Sequence, residues 1–359
     1  MSKPCFVAPD ATPATAERSD NSVAIAGEIP VCLAADEYYA PYMAVAMLSI
    51  MENAGKNRRY HFYILHRELS AATVAALQQQ VAAFSQFAIT FINVTEHIKG
   101  YNFALADWLS VETYFRLLIP YLLPASDKAL YLDCDIICRC DVADLFDIDL
   151  QDRWLAAVRD IALLWYNDKR WRAPRSKRLY EVLLNLKNPN DYFNGGMLVL
   201  NTQVIRTAYS LPEILALAAS RDWCVSDQDM LNFYAEGKTL LLPFRWNFMG
   251  YFGLDTDARA QNLPAPLREE WAQAKLDPQL VHYKFWTDFD LTPYAEIVWQ
   301  YAARTSAYAT LMKRGIDCLH LYPRLGEIIL RAIKYRTIGG RWLINALKTW
   351  LFRGKRPQK

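Results

Sequence analysis

Two carboxylates one residue apart, Asp133 and Asp135 in the run ALYLDCDII, stand directly after an apolar stretch. Carboxylates in such surroundings are costly unless they are paired or hold a cation. On an extended or turning backbone both can converge on one hard cation. Oxygen ligands of this kind suit Mg²⁺ or Mn²⁺, which in turn bridge phosphate oxygens. The plain alternative is a solvated turn acid plus a helix N-cap, and a DxD triplet alone occurs often by chance. His282, in LVHYKFW, is a candidate third ligand, because imidazole is accepted by Mn²⁺ more readily than by Mg²⁺. Lys284 can meet a phosphate as a point charge, or be an ordinary solvated lysine.

Three further places carry chemical potential. In FNGG (Phe193 to Gly196) two glycines permit either close backbone approach or a turn with positive φ, and Asn194 can serve sugar hydroxyls as donor and acceptor. Ser226-Asp227-Gln228-Asp229 opens an apolar helical run, where Ser226 or Asp227 reads as an N-cap. An N-cap does not account for Gln228. Arg116 lies inside the apolar run TYFRLLIP and wants an anion, either a partner aspartate or a ligand's diphosphate.

The elements that must hold these residues read as strands alternating with helices. Ile29–Ala34 is an apolar strand with Pro30 expected at its very start. Helical patterns follow from Tyr42 toward Gly55 and from Ser70, a good N-cap, to Phe84. His61–Leu65 and Phe87–Val94 read as strands, Glu112–Leu123 as a helical run, and Ala129–Leu132 as the strand that presents Asp133. Trp154–Asp160 is a strand ending in an acid. Met197–Asn201 is a strand entered through a FNGG loop. This order implies βαβ units, a mostly parallel central sheet flanked by helices, and ligands beyond the carboxyl ends of the strands.

Composition limits the alternatives. The chain has 359 residues, 53% hydrophobic and 22% charged, which excludes disorder over most of its length. Seven scattered cysteines do not form a secreted disulfide framework; Cys134, Cys138 and Cys140 read as buried or incidental thiols rather than zinc ligands. No apolar run reaches the ~18 residues of a membrane helix. Residues 1–28 read as a flexible leader. From Cys318 to Lys359 the single acid is Glu327, among many Lys and Arg interleaved with Ile, Leu, Trp and Phe. That mixture fits an amphipathic segment on an anionic membrane better than a nucleic-acid surface.

Taken in order, AADEYY, TYFRL, LYLDCD, FNGG, SDQDMLN, FRWNFM and the final HY resemble glycosyltransferase family 8, particularly bacterial lipopolysaccharide galactosyl- and glucosyltransferases. The likeness runs from about Ile29 to about Trp286. HYKFWTDF departs from the family pattern in lacking the glycine before its lysine. The resemblance implies a GT-A type nucleotide-binding fold over residues 29–290, with a helical, basic C-terminal extension over 291–359. It implies a UDP-sugar donor, Mn²⁺ (or Mg²⁺) and a saccharide or glycolipid acceptor. By it, Ala35, Asp36 and Tyr39 hold the uridine; Asp133, Asp135 and His282 hold the metal. Arg116, Asn194, Gly195, Asp227 and Gln228 line the donor sugar, Asp160 lies near sugar and acceptor, and Lys284 meets the phosphates. The expectation is a retaining hexosyltransferase, cytoplasmic and peripheral on the inner face of the plasma membrane. Same-face transfer is favoured over a covalent intermediate because an amide such as Gln228 is a poor nucleophile. A metal-dependent phosphohydrolase and a non-catalytic sugar-nucleotide or lipid-binding protein are the alternatives.

Overall fold

The computed structural model describes residues 27–106, 109–161, 184, 186–249, 260–261, 263–283 and 294–321. The N-terminal part alternates as expected: β1 (Glu28–Ala34), α1 (Ala40–Asn53), β2 (Arg59–His66), α2 (Ala71–Ala82) and β3 (Phe87–Asn93). Ile29 to Leu33 are all buried. A continuous apolar run, rather than an alternating one, is what a strand covered on both faces requires. Pro30 is the third residue of β1 rather than the first, and is tolerated where the ladder to β4 begins only at Val31. Ser70 caps α2 as its sequence predicts, its hydroxyl accepting from Thr73 N at 3.1 Å.

The later strands are β4 (Ala129–Leu132), β5 (Ile136–Cys138), β6 (Leu155–Arg159), β7 (Phe193–Leu200), β8 (Thr239–Leu242) and β9 (Leu280–His282). The central sheet runs β3-β2-β1-β4-β7-β6-β8, and β5 pairs with β9 in a separate small sheet. Pairing is parallel for β1 with β2 and β4, for β2 with β3, and for β6 with β8; β7 runs antiparallel to β4 and β6. The sheet is therefore mostly parallel and flanked by helices. Cys134 and Cys138 are buried free thiols and Cys140 is half-buried.

Three local expectations need correction. FNGG is not a loop entering a strand: it is the first half of β7, whose eight residues are all buried. Glycines lower strand propensity, but pairing on both sides of β7 overrides that. The helical run from Glu112 is a 3-10 segment, Val111–Leu118, that becomes a short α-turn only at Ile119–Leu122. Ser226 does not cap its helix. It is the first residue of α5 (Ser226–Tyr234), with φ of 49°, and its hydroxyl accepts from Ala106 N at 2.9 Å. The helix start is held from within, where Asp229 Oδ2 accepts from Val225 N at 2.8 Å. The helices between β7 and α5 are α3 (Thr202–Ala208) and α4 (Leu211–Ala219), and α6 (Ala265–Leu276) precedes β9.

Beyond β9, α7 (Ala295–Ala302) packs with α1: Asn53 Nδ2 donates to the Tyr301 hydroxyl at 2.9 Å. Residues 309–321 belong to a second compact unit and form most of α8 (Tyr308–Leu321). The basic stretch after residue 321, the leader before residue 27 and Lys284 lie outside the described residues. Among the described residues no helix is long and apolar enough to cross a membrane.

Candidate active site

The Asp133–Asp135 pair sits where β4 hands over to β5. Asp133 N donates to Gly196 O on β7 at 2.7 Å, and Tyr283 N donates to Asp135 O at 2.9 Å. The antiparallel β5–β9 pair sets His282 opposite Ile136. A residue remote in sequence is thereby delivered beside the two acids. Ligand atoms of Asp133, Asp135 and His282 all lie within 4.8 Å of one another. His282 Nε2 is 3.1 Å from Asp135 Oδ1 and 3.8 Å from Asp133 Oδ2. The imidazole is buried, whereas the carboxylates keep 24% (Asp133) and 15% (Asp135) of their side-chain surface open. The group fits a dication of the Mg²⁺–Mn²⁺ class, with its open side left for a ligand's oxygens.

The two glycines of FNGG are required by crowding, not by backbone sign. A Cβ on Gly196 would run into His282 Cε1 and come within 2.6 Å of Asp133 Oδ2 and 2.9 Å of Asn194 Oδ1. A Cβ on Gly195 would sit 2.8 Å from Arg116 Nη1. Both lie where the β6–β7 register steps, with Ala157 facing Leu198 but Val158 facing Asn194. Bulges of this kind re-aim side chains next to sites.

Arg116 finds aspartates. Its Nη2 is 3.1 Å from Asp133 Oδ1 and its Nε 3.0 Å from Asp227 Oδ2, and its guanidinium lies 4.4 Å over the Tyr131 ring. It also donates to Gly195 O, and at 2.8 Å to Thr113 O. Asp227 accepts from the Thr113 hydroxyl through its other oxygen. Burial pushes the Asp227 carboxyl up to about 6, against the opposing pull of Arg116. Arg116 thus joins Asp133 to Asp227 at the start of α5.

Gln228 is held by four hydrogen bonds. Its amide nitrogen donates to Asp160 Oδ2 at 3.0 Å and to the Tyr192 hydroxyl at 3.2 Å. Its oxygen accepts from Asn194 Nδ2 and Gly195 N, both at 3.0 Å. Asn194 also donates to Asp160 Oδ2 at 3.1 Å. The Tyr192 hydroxyl donates to Asp229 Oδ1 at 2.7 Å. Asp160, Asn194 and Gln228 therefore form a mutually bonded, buried cluster, and buried Asp227 is held apart from it by Thr113 and Arg116.

The nucleoside candidates lie at the carboxyl end of β1. Ala35 is buried, and Asp36 Oδ1 accepts from Tyr39 N at 2.7 Å, shaping the entry to α1. Burial raises the Asp36 carboxyl, and nearby Glu112 adds to it. Burial raises the Tyr39 phenol too, and the charge of Asp135 adds to it.

A model of the family described as "Glycosyl transferase family 8" matches residues 30–288. The chain belongs to glycosyltransferase family 8. The lipopolysaccharide 1,2-glucosyltransferase of Escherichia coli (strain K12) is 26% identical to it over 223 residues, 60% of this chain and 61% of that protein. The chain spans about three fifths of the length of several curated relatives that it matches. Among solved structures, the bifunctional glycosyltransferase WbbM superposes with a TM-score of 0.71 at 24% identity, covering 81% of this chain and 52% of that one. The galactosyltransferase LgtC, crystallised with donor and acceptor sugar analogues, gives 0.63 at 24% identity, covering 77% and 96%. These likenesses are of fold and place it in the GT-A type.

For this family 8 chain, reading the sequence alone overlooked four supports of the site: Thr113, Tyr192, Asp229 and Asn247. Asn247 binds His282 Nδ1 at 3.0 Å. Its signal was present: an amide flanked by the aromatic rings of Trp246 and Phe248 is a candidate for burial, and a buried amide must be bonded.

Proposed function

We propose that the chain is a retaining, metal-dependent hexosyltransferase that moves galactose or glucose from a UDP-sugar to a saccharide acceptor. The observation that carries this reading is the convergence of Asp133, Asp135 and His282 within 4.8 Å, after the carboxyl end of β4, in a chain of glycosyltransferase family 8. A Mn²⁺ ion held there would offset the charge growing on the departing diphosphate. Arg116 orients Asp133 and Asp227. Tyr39 offers a ring for the base at the entry to α1. In the transfer, the bond from the anomeric carbon to the β-phosphate oxygen breaks and a bond to the acceptor hydroxyl oxygen forms on the same face. The hydroxyl proton passes to the departing phosphate. Gln228, whose oxygen already accepts two N–H groups, is too weakly basic to attack, and its amide dipole serves to stabilise positive charge on the sugar. A sugar trapped on Asp227 or Gln228 would argue for the covalent route instead.

UDP release from a panel of UDP-sugars, with and without Mn²⁺, tests the reading. Slow hydrolysis of one donor is expected, dependent on Mn²⁺ and lost in Asp135→Ala. The absence of both release and calorimetric UDP binding in the unaltered chain would rule it out.

The basic, aliphatic and aromatic composition of residues 318–359 supports a lipid-linked acceptor, with the chain lying peripherally on an anionic cytoplasmic leaflet. Truncation after Tyr322 is expected to abolish co-sedimentation with anionic vesicles. Unchanged partition would remove the membrane role and leave the transferase reading intact.

A further inference from the structure

Asn247 lies at the end of a short 3-10 segment, Phe244–Asn247, that runs alongside β9. Phe248 N donates to Leu280 O at 2.9 Å and His282 N to Phe248 O at 3.0 Å. This fixes the Asn247 side chain between two groups. Its Oδ1 is 3.0 Å from His282 Nδ1, and its Nδ2 is 2.9 Å from Asn194 Oδ1. Asn247 is 1% exposed, and an amide so buried gains from having each atom matched to a partner.

The proton on His282 can be assigned by working inward from groups whose roles are unambiguous. Gly196 N can only donate, and it donates to Asn194 Oδ1 at 2.9 Å. The Asp160 carboxylate accepts from Asn194 Nδ2. Asn194 is therefore oriented with its oxygen toward Gly196 and Asn247. A second oxygen 2.9 Å from that one would be repelled, so Asn247 must turn its nitrogen to Asn194 and its oxygen to His282. That oxygen accepts only a proton carried on Nδ1. Nε2 is then the ring nitrogen presented to Asp133 and Asp135.

We infer that Asn247 is a positioning residue: it holds His282 as the Nδ1–H tautomer with Nε2 ready for a cation, and through Asn194 it ties that histidine to the amide of Gln228. The inference deepens the proposed function and rests on it for the role of the cation. The device is physically sound, because a ligating histidine is oriented by the acceptor that its other nitrogen meets, and losing such an acceptor weakens metal binding by about 10- to 100-fold. One flip of the Asn247 amide would set its oxygen against that of Asn194 and its nitrogen against the His282 proton, so the arrangement is stable only as a whole.

The test uses the full metal-free chain labelled with ¹⁵N-histidine, in two-bond ¹⁵N–¹H correlation spectra recorded well above the ordinary imidazole value of about 6.5. Loss of one signal set in His282→Gln assigns the residue among the five histidines. The unaltered chain is expected to show Nδ1–H at His282. Asn247→Leu is expected to show Nε2–H, turned to Asp135, with Mn²⁺ affinity by electron paramagnetic resonance about 10- to 100-fold weaker. Asn247→Asp keeps the acceptor for Nδ1 but loses the donor to Asn194 Oδ1, and is expected to keep Nδ1–H while recovering only part of the Mn²⁺ affinity. Nε2–H in the unaltered chain overturns the inference with no variant needed. So does Asn247→Leu, or Asn247→Ser if the leucine variant does not fold, when it keeps the Nδ1–H pattern and unaltered Mn²⁺ affinity. A chain that shows the Nδ1–H pattern but neither binds Mn²⁺ nor releases UDP would sink the proposed function and leave the role of Asn247 in orienting the ring standing.

Discussion

Gly196→Ala is expected to abolish Mn²⁺ binding and lower metal-dependent UDP release by at least about 100-fold, in a chain that still folds. The added Cβ would collide with His282 Cε1 and stand 2.6 Å from Asp133 Oδ2, a separation that real Cβ atoms essentially never show. The backbone has little room to retreat, since Met197 pairs with Leu132 of β4 and Gly196 O accepts from Asp133 N. The groups that must give are therefore the proposed metal ligands themselves. Overpacking of this kind costs about 1–3 kcal/mol of stability, which folded chains commonly survive, whereas a shift of about 1 Å in a ligand is ruinous for function. Gly195→Ala is the control. Its Cβ would meet Arg116 Nη1 at 2.8 Å and reach Asp133 only through that guanidinium, so it should weaken Mn²⁺ binding far less than Gly196→Ala while impairing turnover. Calorimetric Mn²⁺ titration with circular dichroism decides the matter: a folded Gly196→Ala chain with unaltered affinity would show that the crowding is relieved at no cost to the site.

The same glycines show where a sequence is readable and where it is not. Asp133 and Asp135 stood out because ionised groups at the end of an apolar strand demand an explanation, and Arg116 stood out for the same reason. His282 could be nominated by its imidazole and by its place in an ordered set of motifs, but not placed beside the acids, because the β5–β9 pairing that delivers it is non-local. FNGG was legible as a place of close approach but not as a strand. Its burial comes from pairing with β4 and β6, which no local propensity encodes. Asn247, Tyr192 and Thr113 passed unnoticed because neutral polar groups carry no charge to flag them, and their worth depends wholly on partners that the fold supplies. The parallel order of β1, β2 and β3 was readable from alternation alone; the antiparallel insertion of β7 was not.

Arg116→Met is expected to destabilise the chain by about 3–5 kcal/mol and to abolish UDP release, because it leaves buried Asp227 and half-buried Asp133 facing a vacated cation. Asp227 is 2% exposed and Arg116 6%, so water cannot step in for the missing guanidinium. The pH dependence follows from Asp227. Its folded value, about 6, is raised above the ordinary 3.8. A raised acid contributes stability that is fully present below its unfolded value and is lost as pH rises through its folded value. In the unaltered chain that loss falls between about pH 4 and pH 6. Arg116 favours the ionised form, so removing it moves the folded value of Asp227 still higher and extends the loss above pH 6. The variant's deficit should therefore be larger at about pH 7.5 than at about pH 5, where Asp227 is protonated in both folded chains. Urea unfolding at the two pH values measures it. Arg116→Lys keeps the charge but not the fork that reaches Asp133 and Asp227 together, and should recover only part of the stability. A deficit below about 1 kcal/mol with no pH slope would mean that these pairs weigh no more than surface ion pairs. The guanidinium would then be there for the ligand alone, and UDP binding, rather than stability, would be the property that Arg116→Met loses.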